Sequence, residues 1–152
     1  MHTIPRARHA MFAGLAAGLA VMVAASPASA DVSGTYDVKF EDVSTNCTTQ
    51  KLTYKPQPIS VKVKANTLTI DIDLMPVLTG VPQKTGKVSA KSRAGSTMIG
   101  GMKGVFSVAG RITPDGNLSL VMVGEYSTEQ GKPLCTQSWN VSGPRSNTKP
   151  RK

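Results

Sequence analysis

The sequence predicts an all-β, antiparallel fold: about eight short strands in an up-and-down β-barrel that one disulfide closes. Apolar and polar residues alternate with a period of two through most of the chain after residue 30, a pattern typical of half-buried strands. Clusters of Gly, Pro, Asn and Asp separate these segments at the short spacings expected of a small barrel. Cys47 and Cys135 are the two cysteines of the chain. A β-sandwich built from the same strands is the alternative.

Residues 1–30 have the features of a secretory signal peptide. Arg6 and Arg8 precede an apolar stretch over 11–25. Small residues at 28–30 then provide a cleavage site that follows Ala30. An uncleaved anchor is the alternative, but the apolar stretch is short for a membrane span. We therefore expect an exported protein, periplasmic or extracellular, without transmembrane insertion.

The rest of the chain divides into a β-barrel domain over 31–143 and a disordered basic tail over 144–152. Removing the signal peptide with its two arginines lowers the formal net charge from +9 to +7. The domain is long enough for one hydrophobic core. The oligomeric state and the host organism stay open.

The two cysteines predict one disulfide, because paired cysteines are the default state in an exported protein. Cys47 follows the first predicted strand and Cys135 opens the last one. A bond between them places these strands side by side, as closure of an up-and-down barrel requires. Both histidines lie in the signal peptide, so neither a Cys/His metal site nor a cofactor is expected.

Two predicted hairpins fix the register of the sheet. A two-residue turn at 65–66 pairs Val63 with Leu68 and puts the apolar residues of both strands on one face. A three-residue loop over 114–116, with a left-handed glycine at its end, pairs Ile112 with Leu118. The other strands are predicted at 35–41, 48–54, 87–93 and 134–141, and loops at 75–84 and 94–104.

The sequence gives no sign of catalysis. Serine and cysteine nucleophiles usually need an imidazole base, and no histidine follows residue 9. Carboxylates are paired at 41–42 and at 71 and 73, but these lie at a strand end and on an outward face. We therefore predict that the protein is not an enzyme.

A basic outer face is the second feature with a functional interpretation. No acidic residue occurs between Leu74 and Pro114, and such a positive field attracts anionic lipids, polysaccharides or nucleic acid. No aromatic residue lies on the outer side of this stretch, so base stacking and a nucleic-acid partner are not expected. Charge that only keeps the domain soluble is the alternative. The predicted anion-binding residues are Lys87, Lys91, Arg93, Lys103 and Arg111.

The start of the first strand resembles the Gly-x-Trp motif of lipocalins and related calycin barrels. Gly34, Thr35 and Tyr36 carry this resemblance, with tyrosine in place of tryptophan. It implies that Tyr36 plugs one barrel end and that a small ligand occupies the interior. A fully packed core would use the same side chains. The implied ligand-binding residues are Tyr36, Phe40, Val61, Ile70, Phe106, Met122 and Trp139.

Together these features predict a non-enzymatic exported binding protein with a small apolar or amphipathic ligand in the barrel. The partner is then a small lipophilic ligand or an envelope component. The alternative is a protein-interaction module. Such a module would inhibit a hydrolase through the mature N-terminus at 31–33, or bind an anionic envelope polymer through the basic outer face.

Overall fold

The computed structural model describes residues 31–147, and its regular structure is entirely antiparallel β-sheet. The predicted signal peptide and the last five residues of the predicted tail lie outside the described residues. Within the described range no helix is long and apolar enough to cross a membrane. The nine strands are β1 (Gly34–Thr45), β2 (Gln57–Lys64), β3 (Thr67–Asp71), β4 (Leu78–Gly80), β5 (Lys87–Ser92), β6 (Gly95–Ser96), β7 (Met102–Ile112), β8 (Asn117–Thr128) and β9 (Pro133–Pro144).

The strands form one sheet that closes into a ring. Its order is β5-β4-β3-β2-β1-β9-β8-β7-β6, and β5 also pairs with β7, which completes the circle. The two-residue strand β6 pairs with the start of β7 beside this closure. Neighbours in the ring are therefore neighbours in sequence, apart from the step past β6 and the pairing of first and last strands. The prediction of an all-β, antiparallel, up-and-down fold is confirmed.

The predicted disulfide joins the first and last strands. Cys47 lies two residues after β1 and Cys135 lies in β9, and their Cα atoms are 5.1 Å apart across a sequence separation of 88. Next to the bond, β1 and β9 run antiparallel with Thr45 opposite Gln137. The bond thus connects two strands that the sheet already pairs, and its predicted position is confirmed.

Both predicted hairpin registers are confirmed. β2 and β3 pair Val63 with Leu68, and β7 and β8 pair Ile112 with Leu118. Gly116 has a φ of 85°, the left-handed conformation that the three-residue loop requires and that glycine adopts without steric cost. Each hairpin therefore directs its alternate apolar residues into the ring.

Three predicted segments differ in the structure. Residues 48–54 form no strand, because the backbone of Leu52 bonds to a side chain instead of to a neighbouring strand. The predicted loop over 75–84 contains β4, where Gly80 packs directly against the backbone of Ser89, too close for any side chain. The predicted connection over 94–104 contains β6 and the start of β7. In the first segment a glycine that suggests a turn marks the close approach of two strands, whereas Gly101 in the second lies in a turn with a φ of 77°.

The inside of the ring is a continuous apolar core with two distinct ends. Because the strands alternate in direction, the turns at 65–66, 81–86 and 113–116 lie at the end where β1 begins, which we call the Tyr36 end. The opposite end, which carries Cys47–Cys135, is the disulfide end. Its connections are the loops over 46–56, 72–77 and 93–101 and the turn over 129–132.

Candidate functional site

The seven predicted ligand-binding residues belong to the apolar core inside the ring. Six are buried and Phe40 is half-buried. The structure does not bring all of them together, because Tyr36 occupies one end of the ring. Met122 lies directly opposite Trp139 near the middle of β8 and β9. The predicted set therefore spans the whole core and does not form one local site.

The Tyr36 end is closed by polar groups that are largely paired, although Arg145 Nε is buried there without a partner among residues 31–147. The Tyr36 hydroxyl donates to the Val32 carbonyl (2.8 Å) and accepts from Arg145 Nη2 (3.1 Å). Arg145 Nη2 also donates to the Asp31 carbonyl (2.6 Å), and the guanidinium lies 5.6 Å from the centre of the Tyr36 ring. Arg145, assigned from sequence to the tail, is thus part of the folded domain. Every hydrogen-bonding group of the Tyr36 side chain has a partner.

The disulfide end is covered by residues 46–56, which we call the cap segment. The inward side chain of Gln137 on β9 donates from Nε2 to the Leu52 carbonyl (2.9 Å) and accepts from the Leu52 amide at Oε1 (3.1 Å). Gln137 is 1% exposed, so this two-bond clamp is shielded from water. Cys47 anchors the start of the cap segment to Cys135. The segment therefore lies against the inner face of β9 without becoming a strand.

Five aromatic rings form two groups, a cluster of three that includes Tyr54 of the cap segment and a separate pair. Tyr54 contacts Phe40 and Trp139, with ring centres 5.2 and 5.3 Å apart. Phe106 and Tyr126 meet edge to face at 6.0 Å.

Two glycines that face into the ring make room for the pair formed by Phe106 and Tyr126. Gly124 lies opposite Phe106, and Gly104 lies opposite Tyr126. A Cβ on Gly124 would come within 2.8 Å of the Tyr126 hydroxyl, and one on Gly104 within 2.8 Å of the Phe106 ring. The two rings therefore cover bare backbone, which fixes their positions.

Three hydrogen-bond donors in these rings have no partner among residues 31–147. They are the hydroxyls of Tyr54 and Tyr126 and the indole Nε1 of Trp139. The three side chains are 7%, 3% and 0% exposed. An unpaired buried polar group costs about 1–3 kcal/mol, so three of them at one end of a small domain need an explanation.

Both unpaired hydroxyls stay protonated at neutral pH. Burial raises the pKa of the Tyr54 and Tyr126 hydroxyls far above the ordinary tyrosine value, because the low-dielectric interior disfavours a phenolate. Repulsion from a Tyr54 phenolate raises the pKa of Tyr126 further. Both groups are therefore neutral donors.

A recess of about 230 Å³ lies beside the cap segment at the same end. Its wall includes Met102 and Cys135, and Cys135 is the cross-strand neighbour of Tyr126. The recess thus lies next to the position of Tyr126 in the sheet, but the side chains of Tyr54, Tyr126 and Trp139 do not line it.

The predicted anion-binding residues lie on the outside of β5, of β7 and of the segment that follows β5. Lys87, Lys91, Arg93 and Arg111 are exposed, and Lys103 is half-buried. The sheet brings Lys87 and Arg111 directly opposite each other on β5 and β7. Lys91 Nζ lies 3.9 Å from a carboxylate oxygen of Glu125. The five residues are therefore spread along the paired strands β5 and β7 and do not form a compact cluster.

Sequence reasoning missed Tyr54 and Tyr126 as candidate site residues. Tyr126 could be predicted from the alternation of β8, because it lies an even number of residues after the inward Leu118, Leu120 and Met122. No alternation of apolar residues marks Tyr54, because the hydrogen bonds between Gln137 and Leu52, and not a strand, hold its segment in place. In the part of the chain that the structure describes, no three His, Cys, Asp or Glu side chains come together to hold a metal ion.

No family model, no curated protein and no solved structure matches this chain. The functional interpretation therefore rests on its own residues and their geometry.

Proposed function

We propose that the protein is a non-enzymatic, exported binding protein that holds a small amphipathic ligand inside the ring at the disulfide end. The unpaired donors of Tyr54, Tyr126 and Trp139 carry this proposal. A ligand with a hydrogen-bond acceptor would satisfy them, which would recover the cost of leaving them unpaired. The lipocalin-like start of β1 and its implied interior ligand favour the same function.

The surroundings of these donors define the chemistry of the ligand. The buried side chains near them are apolar, and the buried polar residues of the described chain are Ser92 and Gln137. The Ser92 hydroxyl accepts from the amide of Phe106, and Gln137 holds the cap segment. No buried cation is available to balance an anion, and an unpaired charge is expensive to bury. We therefore expect a neutral acceptor, such as a carbonyl or hydroxyl, on an apolar body.

Two observations support a location outside the cytoplasm. The predicted signal peptide directs export, and a disulfide is compatible with an oxidising compartment. A carrier of apolar molecules in such a compartment needs no catalytic group. The proposed role is therefore storage or transport of the ligand.

Native mass spectrometry of the mature protein, purified from an exporting host without denaturant, tests ligand retention. Trp139 is the one tryptophan of the chain, so its fluorescence reports occupancy of the site directly. We expect a long-chain alcohol or methyl ester to quench or shift this emission. An alkane of equal length should bind more weakly because it lacks the acceptor.

Two tyrosine variants locate the binding site. Tyr126→Phe removes one unpaired donor and keeps the ring, so we expect affinity for the alcohol to fall about 5- to 10-fold. Tyr36→Phe is the matched control, since the same change at the opposite end should leave affinity unchanged. An adventitious water between the tyrosines would give no retained ligand mass and no probe-dependent change in fluorescence. That result would contradict the proposal.

A further inference from the structure

The outside of the ring carries a second feature that the interior ligand does not explain. A groove of about 450 Å³ runs over β4, β5, β7 and β8. Its floor is made of small outward side chains, with Ser89 opposite Ala109 and Lys91 opposite Ser107. Because these side chains are short, a concave strip follows the pairing of β5 with β7. We call it the seam groove.

Lys91 lines the seam groove, and two further cations lie just beyond one end of it. Lys87 and Arg111, one step from the Ser89–Ala109 pair, are exposed and directly opposite each other. Like charges opposite each other in a sheet are unfavourable. Among residues 31–147 neither takes part in an ion pair, whereas Lys91 is only loosely paired with Glu125, at 3.9 Å. An anion between Lys87 and Arg111 would turn this repulsion into attraction.

The spacing of the cations favours an extended anionic partner. Lys87 and Lys91 are four residues apart on one strand, which places them about 13 Å apart at roughly 3.3 Å per residue. Between them the floor offers the hydroxyls of Ser89 and Ser107. A chain of hydroxylated units that bears repeated anionic groups matches both features.

The lining residues argue against two other polyanions. No aromatic side chain lines the seam groove, so it offers no platform on which nucleic-acid bases could stack. Its largest apolar side chains are valines such as Val121, 48% exposed, without the Trp, Phe or Leu that anchor proteins in a lipid surface. The groove is also concave, which suits a strand of polymer better than a flat membrane.

We propose that the seam groove binds a linear anionic polysaccharide, with Lys87 and Arg111 holding one acidic group and Lys91 another. This proposal is independent of the interior ligand. It specifies which cations of the basic outer face act together. It also gives the binding protein a means of remaining on an anionic polymer of the envelope while the interior is loaded or empty.

Titration of the full mature protein with a polygalacturonate oligomer at low ionic strength tests the proposal. For Lys87→Gln/Arg111→Gln we expect affinity to fall about 10-fold, and the dependence of log K on log salt to become shallower by about one to two. Lys62→Gln/Lys64→Gln on β2 is the matched control, because it removes two equally exposed charges elsewhere. Affinity of that control should stay within about twofold. Equal losses in both variants would show that only net charge matters and would overturn the proposal.

A third variant tests the groove itself without changing any charge. Ala109→Ile adds bulk to the floor at an exposed strand position, and we expect it to weaken polygalacturonate binding about fivefold. Unchanged affinity would place the polymer elsewhere and contradict the proposal. Tighter binding of a single-stranded oligonucleotide, or of vesicles rich in anionic phospholipid, would also contradict it. Trp139 fluorescence with the alcohol probe should be unaffected by all three variants, so failure here is distinguishable from failure of the interior site.

Discussion

The two ends of the ring close in different ways. At the Tyr36 end, the tyrosine hydroxyl has two partners and the arginine above it is fixed by three polar and π contacts. One atom of that arginine, Nε, is buried without a partner among the described residues. At the disulfide end, two tyrosine hydroxyls and the indole of Trp139 are equally buried but unpaired. The same residue type is thus a structural plug at one end and an unsatisfied donor at the other. This difference is the basis for proposing that the disulfide end binds the ligand.

The backbone shows the same contrast. At the Tyr36 end, the amides of Arg145 and Ser146 each donate at 2.7 Å to a carbonyl of an element beside β9, namely Gly116 and Thr35. At the disulfide end, the middle of the cap segment is held by the Gln137 clamp, and its start by the disulfide and by Asn46. The cap segment is therefore held by side-chain bonds, including the exposed ion pair of Lys51 with Asp42 at 2.6 Å, and not by a strand ladder.

Removal of the disulfide gives the largest expected effect. Cys47→Ser/Cys135→Ser releases a loop of 88 residues in the unfolded chain and frees the start of the cap segment. The chain-entropy relation gives a loss of up to about 4–5 kcal/mol in the free energy of unfolding. Urea denaturation measures it. A loss below about 1 kcal/mol would mean that the β1–β9 pairing needs no covalent support.

Breaking the Gln137 clamp should open the disulfide end selectively. Gln137→Leu keeps the size of the side chain but leaves the amide and carbonyl of Leu52 without partners. Two such groups cost about 2–4 kcal/mol in total. Hydrogen exchange should accelerate in the cap segment and stay unchanged around Tyr36. Asn140→Ala, at an outward position of β9, is the control. Equal acceleration at both ends would show that the ends are not independent.

Alkaline pH should also distinguish the ends. In the unfolded chain tyrosine ionises near pH 10, whereas the folded protein keeps Tyr54 and Tyr126 protonated to far higher pH. Above pH 10 the folded state therefore binds more protons, and the free energy of unfolding falls as pH rises. We expect a loss of about 1–3 kcal/mol between pH 10 and pH 11. Tyr54→Phe/Tyr126→Phe should lack most of this loss, and an unchanged pH dependence would contradict the assignment.

The fold was largely predictable because it depends on a repeated pattern. The alternation of β2, β3, β7 and β8 specifies which residues face inward, and turn geometry specifies the register. The disulfide was predictable because a chain with two cysteines offers a single pairing.

The candidate site was less predictable, because its parts depend on contacts between distant residues. Tyr54 belongs to a segment that no neighbouring strand pairs with. The side chain of Gln137, 85 residues from Leu52, makes the hydrogen bonds that hold this segment against the interior. Gly80 reads as a turn residue until β5 is placed beside it. Arg145 follows the last predicted strand, so the sequence assigns it to the tail. In the structure its side chain donates a hydrogen bond to the Tyr36 hydroxyl.

The most direct test compares the stability of two Tyr→Phe variants in ligand-free protein refolded from denaturant. Tyr36→Phe should lower the free energy of unfolding by about 1–2 kcal/mol, because the Val32 carbonyl and Arg145 lose a partner. Tyr126→Phe should leave it unchanged or raise it by up to about 1 kcal/mol, because an unpaired buried hydroxyl is removed. A loss in Tyr126→Phe equal to that in Tyr36→Phe would show that the hydroxyl is already paired in the empty protein, and would contradict the proposed binding end.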